Sequence, residues 1–264
     1  AALALGRWFK CCELGAVSPD YPYLALGAKG AAVWADLMHY QHTGEMIKAG
    51  VDVVKTLTGN VRDKAFAWLL GYTAHVITDT TIHPVVELKV GPYAQNKTAH
   101  RECEMHQDAY IFQRLNLGGV GVADYLESSL ERCSLADGSM DPALADTWRE
   151  QLKRCYPQEF SSNPPDIARW HKGFTSVLEI GSNGTRLFPI ARHVAVNCGL
   201  TYPQPKEVDR KAFIERLKTP HGEMSYDQVF DKALEHVIQS WHLIGEAVFG
   251  NSTLYQTAFW DWNL

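Results

Sequence analysis

The stretch SYDQVFDKALEHVIQSWHLIGEAVFG, Ser225–Gly250, decides the fold class. Ser225 and Gln228 have the spacing of a capping box, in which each side chain satisfies an amide of the first helical turn. Phe230, Leu234, Val237, Trp241, Ile244 and Val248 then recur at intervals of four and three, the repeat of a helix with one face on a core, and Gly250 is the expected stop. Working outward, the same pattern recurs along the chain. Asn60 is placed to cap a long helix from Val61 to about His83, and Asp141 followed by Pro142 starts another that reaches about Cys155. Shorter helical patterns cover about Thr43–Thr58, Thr98–Leu115, Val122–Cys133, Asp166–Ile180 and Asp209–Leu217. Breakers lie between them: Ser18-Pro19-Asp20-Tyr21-Pro22, Gly118-Gly119, Asn163-Pro164-Pro165, Gly181-Ser182-Asn183-Gly184 and Pro203-Gln204-Pro205. Neither hairpin signals nor internal repeats are evident. The expectation is an all-α fold, one multi-helix, bundle-like domain over residues 1–264.

Composition narrows the function. With 46% hydrophobic and 21% charged residues the chain can bury a sizeable core, and its net charge of −5 offers no general attraction for a polyanion. Sequence-specific or general nucleic-acid binding is not expected, although a local metal site remains compatible with a nuclease. No run of about 18 apolar residues occurs, so membrane contact is expected to be peripheral at most. The six cysteines, Cys11, Cys12, Cys103, Cys133, Cys155 and Cys198, show no CxxC spacing, and buried thiols and disulfides both remain open. A bond between the adjacent Cys11 and Cys12 would be strained. The lack of an initiator Met and of a charged-then-apolar leader predicts a processed product or a fragment.

Histidine carries the chemistry. Six of the eleven histidines fall between His39 and His106. In His75-Val-Ile-Thr-Asp79-Thr-Thr-Ile-His83-Pro84, two histidines flank an aspartate at steps of four. Each such step turns only about 40° round a helix, so the three side chains share a side. His75 and Asp79 can share one ion, whereas His83 faces a second that Asp79 helps to position. Pro84 is expected to end or kink the helix, leaving His83 at a helix end. A further i, i+4 pair is His100 and Glu104. Imidazole combined with carboxylate suits zinc better than calcium or magnesium. Upstream, Asp20 lies in a Pro-Asp turn, and His39 precedes Tyr40.

In that order these motifs, over about Leu14 to Tyr110, resemble the zinc-dependent phospholipase C family, its glycosylphosphatidylinositol phospholipase relatives and, more distantly, the S1/P1 nucleases. The resemblance implies that Asp20, His39, His75 and Asp79 bind a first ion and His83, His100 and Glu104 a second, with Asp79 bridging towards a third. Two or three Zn2+ ions are therefore expected. The third ion of the family uses an N-terminal Trp and a nearby His; here Trp8 is not terminal and no His precedes His39. The interval of three residues between Asp79 and His83 matches the bacterial and glycosylphosphatidylinositol-type members rather than the nucleases. His42 is the alternative to His39, which the aromatic neighbour favours. Asp36, Glu45, Glu102, His106 and Asp108 are either partners of the ligand histidines or residues of solvated helix faces. His171, His193, His221, His236 and His242 lack ligand spacing and read as core or surface. Tyr21, Tyr23, Trp34, Tyr40, Trp68 and Tyr72 surround the motif, as packed core or as an apolar wall.

The function this implies is metal-dependent hydrolysis of a phosphoester substrate, in this family a phospholipid, by a metal-bound hydroxide, with Asp20 as ligand or proton acceptor. A nuclease or phosphomonoesterase with the same centre, and a non-catalytic helical module whose metal positions are all closed by protein, are the competing readings. Family analogy points to a secreted or periplasmic location.

Overall fold

A computed structural model describes residues 1–25, 27–117, 122–183, 202, 203 and 205–261. In chain order the elements are α1 (Ala2–Arg7), α2 (Phe9–Val17), a 3-10 turn (Ser18–Asp20), α3 (Tyr21–Leu24), α4 (Ala31–Tyr40), α5 (Thr43–Thr56), α6 (Gly59–Val90) and α7 (Tyr93–Arg114). After these come α8 (Val122–Cys133), α9 (Pro142–Cys155), α10 (Pro157–Ser162), α11 (Ile167–Asn183), a 3-10 turn (Pro205–Glu207), α12 (Arg210–Phe213), β1 (Leu217–Thr219), β2 (Gly222–Met224), α13 (Tyr226–Gly250) and α14 (Tyr255–Ala258). The fold is helical, as expected. No helix among the described residues is long and apolar enough to cross a membrane.

The axis of the molecule is α6, whose 32 residues span about 48 Å at 1.5 Å per residue. It starts at Gly59 behind Thr58 rather than after an Asn60 cap, and it does not stop at His83-Pro84. Proline within a helix costs about 3 kcal/mol. Burial of Val85 and Val86 just beyond it offsets this, and the chain leaves the helix only at Gly91, where φ is +89°. His83 therefore sits inside a continuous helix, not at a freely reorienting end.

Two apolar clusters flank this axis. The larger gathers α1 to α6 with α8, α9, α11 and α13 and contains the fully buried Trp34, Trp68, Trp148 and Trp170. Their rings form a chain, Trp68 to Trp148 at 5.6 Å, Trp148 to Trp170 at 5.3 Å and Trp34 to Trp170 at 6.2 Å between centroids. The smaller cluster joins the end of α6 (Ile82, Val85, Val86) to Cys103 and Tyr110 of α7, Leu217 of β1 and Val229 and Ala233 of α13.

Several boundaries differ from the sequence reading for physical reasons. Ser225 and Gln228 form the expected capping box, but Leu234 is 49% exposed and Ala233 takes the inward position. The stop is Asn251, left-handed at φ +59°, one residue after Gly250. The helix expected over Asp209–Leu217 shrinks to Arg210–Phe213, because Arg216 turns left-handed and Leu217 enters a small antiparallel hairpin in which it pairs with Met224. That hairpin corrects the expectation of none. The proline-rich 18–22 segment forms a 3-10 turn and a short helix instead of a break. Gly118-Gly119, Gly184 and Gln204 lie outside the described residues. Cys11, Cys12, Cys103, Cys133 and Cys155 are free thiols, with Cys11 and Cys133 in contact at 3.4 Å between sulfurs, and Cys198 lies outside the described residues.

The start of α5 is capped from the far end of the chain. The Asp261 Oδ1 atom accepts hydrogen bonds from the Gly44 and Glu45 amides at 3.1 Å each, and Oδ2 lies 3.2 Å from His42 Nδ1. An N-cap carboxylate is worth about 1–2 kcal/mol. Asp261→Ala should therefore lower the thermal midpoint while Asp261→Asn, which keeps an acceptor, lowers it less; equal midpoints for all three proteins would contradict the cap.

His171 is a second test of the core. It is 1% exposed, its Nε2 lies 2.9 Å from Ser134 Oγ, and burial pushes its pKa from 6.5 down to about 4. The unfolded chain takes up a proton near pH 6.5 that the fold refuses, so stability falls as pH drops from about 6.5 to about 4, by up to about 3 kcal/mol. Urea melts at pH 7 and pH 4.5 should show a smaller acid loss in His171→Asn than in the parent protein.

Candidate metal centre

Helix geometry brings the histidines together with one nitrogen already committed. The 3-10 turn carrying Asp20 is pinned underneath by Ser18, whose hydroxyl donates to the Leu14 carbonyl (2.8 Å) and accepts from Trp68 Nε1 (2.9 Å). His39, near the end of α4, places Nδ1 2.7 Å from the Ala35 carbonyl, and His75 on α6 places Nδ1 2.9 Å from the Ala16 carbonyl. A carbonyl only accepts, so each Nδ1 carries a proton and each neutral ring presents a bare Nε2.

Those two Nε2 atoms face each other at 3.0 Å. Two lone pairs so placed repel unless a cation or proton lies near both. Asp20 Oδ1 is 3.5 Å from His39 Nε2, and Asp79 Oδ2 is 3.1 Å from His75 Nε2 and 3.9 Å from His39 Nε2. A second set lies one turn further along α6. Glu104 Oε1 is 3.2 Å from His100 Nε2 and 3.4 Å from His83 Nε2, which is also 3.8 Å from Asp79 Oδ1. The donor atoms of Asp20, His39 and His75 lie within 4.8 Å of one another, as do those of His83, His100 and Glu104. Asp79 stands between the two groups with one oxygen towards each.

The donor chemistry and spacing fit zinc. Tetrahedral bonds of about 2.1 Å put neighbouring ligand atoms about 3.4 Å apart, in the middle of the separations above. Charge agrees. Burial opposes protonation of His75, but Asp79 and Asp20 outweigh it and raise its pKa to about 9; His83 is likewise raised to about 9 by Asp79 and Glu104 against the same opposition. Burial pushes the carboxylates up, yet the neighbouring imidazoles win: Glu104 is lowered to about 2, and Asp79 and Asp20 fall below the ordinary range. The pocket thus holds positive charge between its carboxylates, as protons or as a metal that displaces them. Exposure is graded, with the His100 side chain 3% and the Asp20 side chain 32% accessible. His39, His75 and His100 form the back of the site, and Asp20, Glu104 and His83 its open side.

All seven sequence-selected residues meet here. His42, the alternative to His39, lies instead at the Asp261 cap. Of the neighbouring polar residues, Asp36 accepts from the Tyr23 hydroxyl (2.6 Å), Glu45 pairs with Lys48, His106 Nδ1 accepts from the Asp209 amide, and Asp108 contacts Tyr202. Tyr21, Trp34, Trp68 and Tyr72 are fully buried core, whereas Tyr23 and Tyr40 flank the His39 ring at 5.9 and 6.1 Å. Sequence reasoning missed Tyr93, whose ring stands 5.0 Å from that of His100. The spacing of seven would not have found it, because the backbone leaves helical geometry at Asn96 (φ −127°, ψ 30°), between Tyr93 and His100. Trp8 packs under Lys64, 4.8 Å from its ring centroid, and the described residues form two donor groups.

The family model for zinc dependent phospholipase C matches residues 2–157, more than half of the chain and the whole of the metal-facing sequence. The chain belongs to that family. No curated protein and no solved structure matches it. A zinc dependent phospholipase C is a phosphoric diester hydrolase, and the two histidine-carboxylate groups are its candidate metal positions in this chain.

Proposed function

We propose that this zinc dependent phospholipase C cleaves a phospholipid phosphodiester at a centre in which Asp20, His39 and His75 hold one zinc ion, His83, His100 and Glu104 a second, and Asp79 bridges them. The split carboxylate of Asp79, with its oxygens 3.1 Å from His75 and 3.8 Å from His83, is the observation that carries the reading. When bound, zinc supplies Lewis acidity, which brings the pKa of a water from 15.7 to about 7 and neutralises charge on phosphoryl oxygens.

The protein's own groups do the rest. The Ala35 and Ala16 carbonyls fix the two imidazole tautomers and aim their Nε2 atoms. Asp20, on the open side, is positioned to take a proton from the attacking water. Tyr23, Tyr40 and Tyr93 line the approach beside His39 and His100. Because Asp20 and Glu104 are partly open to solvent, the centre has room for substrate, which favours catalysis over a closed structural metal.

Stripping metal with a chelator should abolish cleavage of phosphatidylcholine vesicles and of bis-nitrophenyl phosphate, and zinc should restore both. Full activity without metal would refute the centre. Restored activity on single-stranded DNA but not on vesicles would replace the lipid reading with the nuclease one.

A further inference from the structure

The face of α6 turned away from the metal ligands borders a cavity that the zinc centre does not use. Residues advance by about 100° round a helix, so Ile77, Thr81 and Pro84 lie on the far side from Asp79. They wall a space of about 540 Å³ between α6, the β1–β2 hairpin, α13 and the segment after α14, within the usual size of a small-molecule pocket. None of the seven candidate ligands lines it.

Its chemistry is two-sided. Ile77, Val85, Met224, Val229, Leu243 and Phe259 supply apolar surface. The ionisable residues of the lining are His221, Lys232 and His236, three bases with no carboxylate among them, in a chain whose net charge is −5. Lys232 and His236 share a face of α13 at i, i+4, and burial, with Lys232 behind it and Glu235 opposing, lowers the His236 pKa. Thr81 gives its hydroxyl proton to the Ile77 carbonyl (2.8 Å), so at 3.3 Å it can only accept from His236 Nδ1; the neutral His236 ring therefore turns a bare Nε2 acceptor to the cavity, and the donors for an anion are Lys232 and His221.

We infer that this cavity binds a single-chain anionic amphiphile, its carboxylate or phosphate head held by Lys232 and His221 and its alkyl chain laid over the apolar wall.

The test titrates the zinc-loaded chain, and the same chain after zinc is removed by a chelator, with dodecanoate, dodecyl phosphate, dodecanol and octanoate below their micellar concentrations, by calorimetry. One site per chain for both dodecyl anions is expected, with dodecanol at least about tenfold weaker because it lacks the charge-assisted contact and octanoate at least about tenfold weaker because it buries four fewer methylenes. Lys232→Gln, a half-buried position outside the metal centre, should weaken dodecanoate about tenfold, leave dodecanol unchanged and leave bis-nitrophenyl phosphate cleavage intact. Dodecanol binding as tightly as dodecanoate, or an unaltered Lys232→Gln titration, would overturn the inference. Loss of dodecanoate binding when zinc is removed by a chelator would overturn it too, by placing the carboxylate on the metal, and would leave the metal-centre reading standing.

Discussion

Asp79→Asn should lose at least about 10³-fold in phosphodiester cleavage and release metal from both donor groups. The replacement is nearly isosteric within α6, so the helix persists. Asp79 presents one oxygen to His75 at 3.1 Å and the other to His83 at 3.8 Å, both from a carboxylate kept ionised by the imidazoles around it. An amide keeps one oxygen, loses the negative charge and turns an N–H group, which cannot ligate, towards one of the ions. Weakened Lewis-acid stabilisation by several kcal/mol, at 1.36 kcal/mol per factor of ten, sets the size of the loss. Turnover of bis-nitrophenyl phosphate and elemental analysis of the purified variant check it together. A variant holding two zinc ions and a tenth of the parental rate would show that Asp79 does not bridge.

The second large effect is on folding. Helices α2 and α6 meet through two glycines: a Cβ added at Gly71 would lie 1.8 Å from the Cys12 carbonyl oxygen, and one at Gly15 would lie 2.0 Å from that of Trp68. Both obstacles are backbone, so no rotamer change relieves them and the helices must separate. Gly71→Ala should cost about 3 kcal/mol and lower the melting temperature by roughly 6–12 °C. The same separation draws the Ala16 carbonyl away from His75 Nδ1, so activity should fall even below the melting transition. A melting temperature within 2 °C or so of the parent would mean that the helices part at little cost.

Much of this was legible from residue spacing alone. The i, i+4 histidine-carboxylate pairs and their order along the chain selected all seven side chains that converge, because a helix fixes direction from spacing. Ser225 and Gln228 announced the start of α13 for the same reason. What escaped were features set by partners distant in sequence. Nothing near Pro84 reveals that Val85 and Val86 are buried by the hairpin and α13, which is why the helix was expected to end there. The short hairpin depends on Leu217 packing into that same cluster, and its Thr-Pro-His-Gly turn is too weak a local signal to predict it. The near contacts of Gly15 and Gly71 are likewise invisible until two helices are laid together.

The division of α6 between two clusters has a consequence for the order in which the molecule comes into being. Every candidate zinc donor is translated by Glu104, yet α13, which packs against both stretches of the helix bearing three of them, begins only at Tyr226. Over more than a hundred intervening residues the nascent chain carries its coordinating groups without the scaffold that spaces them.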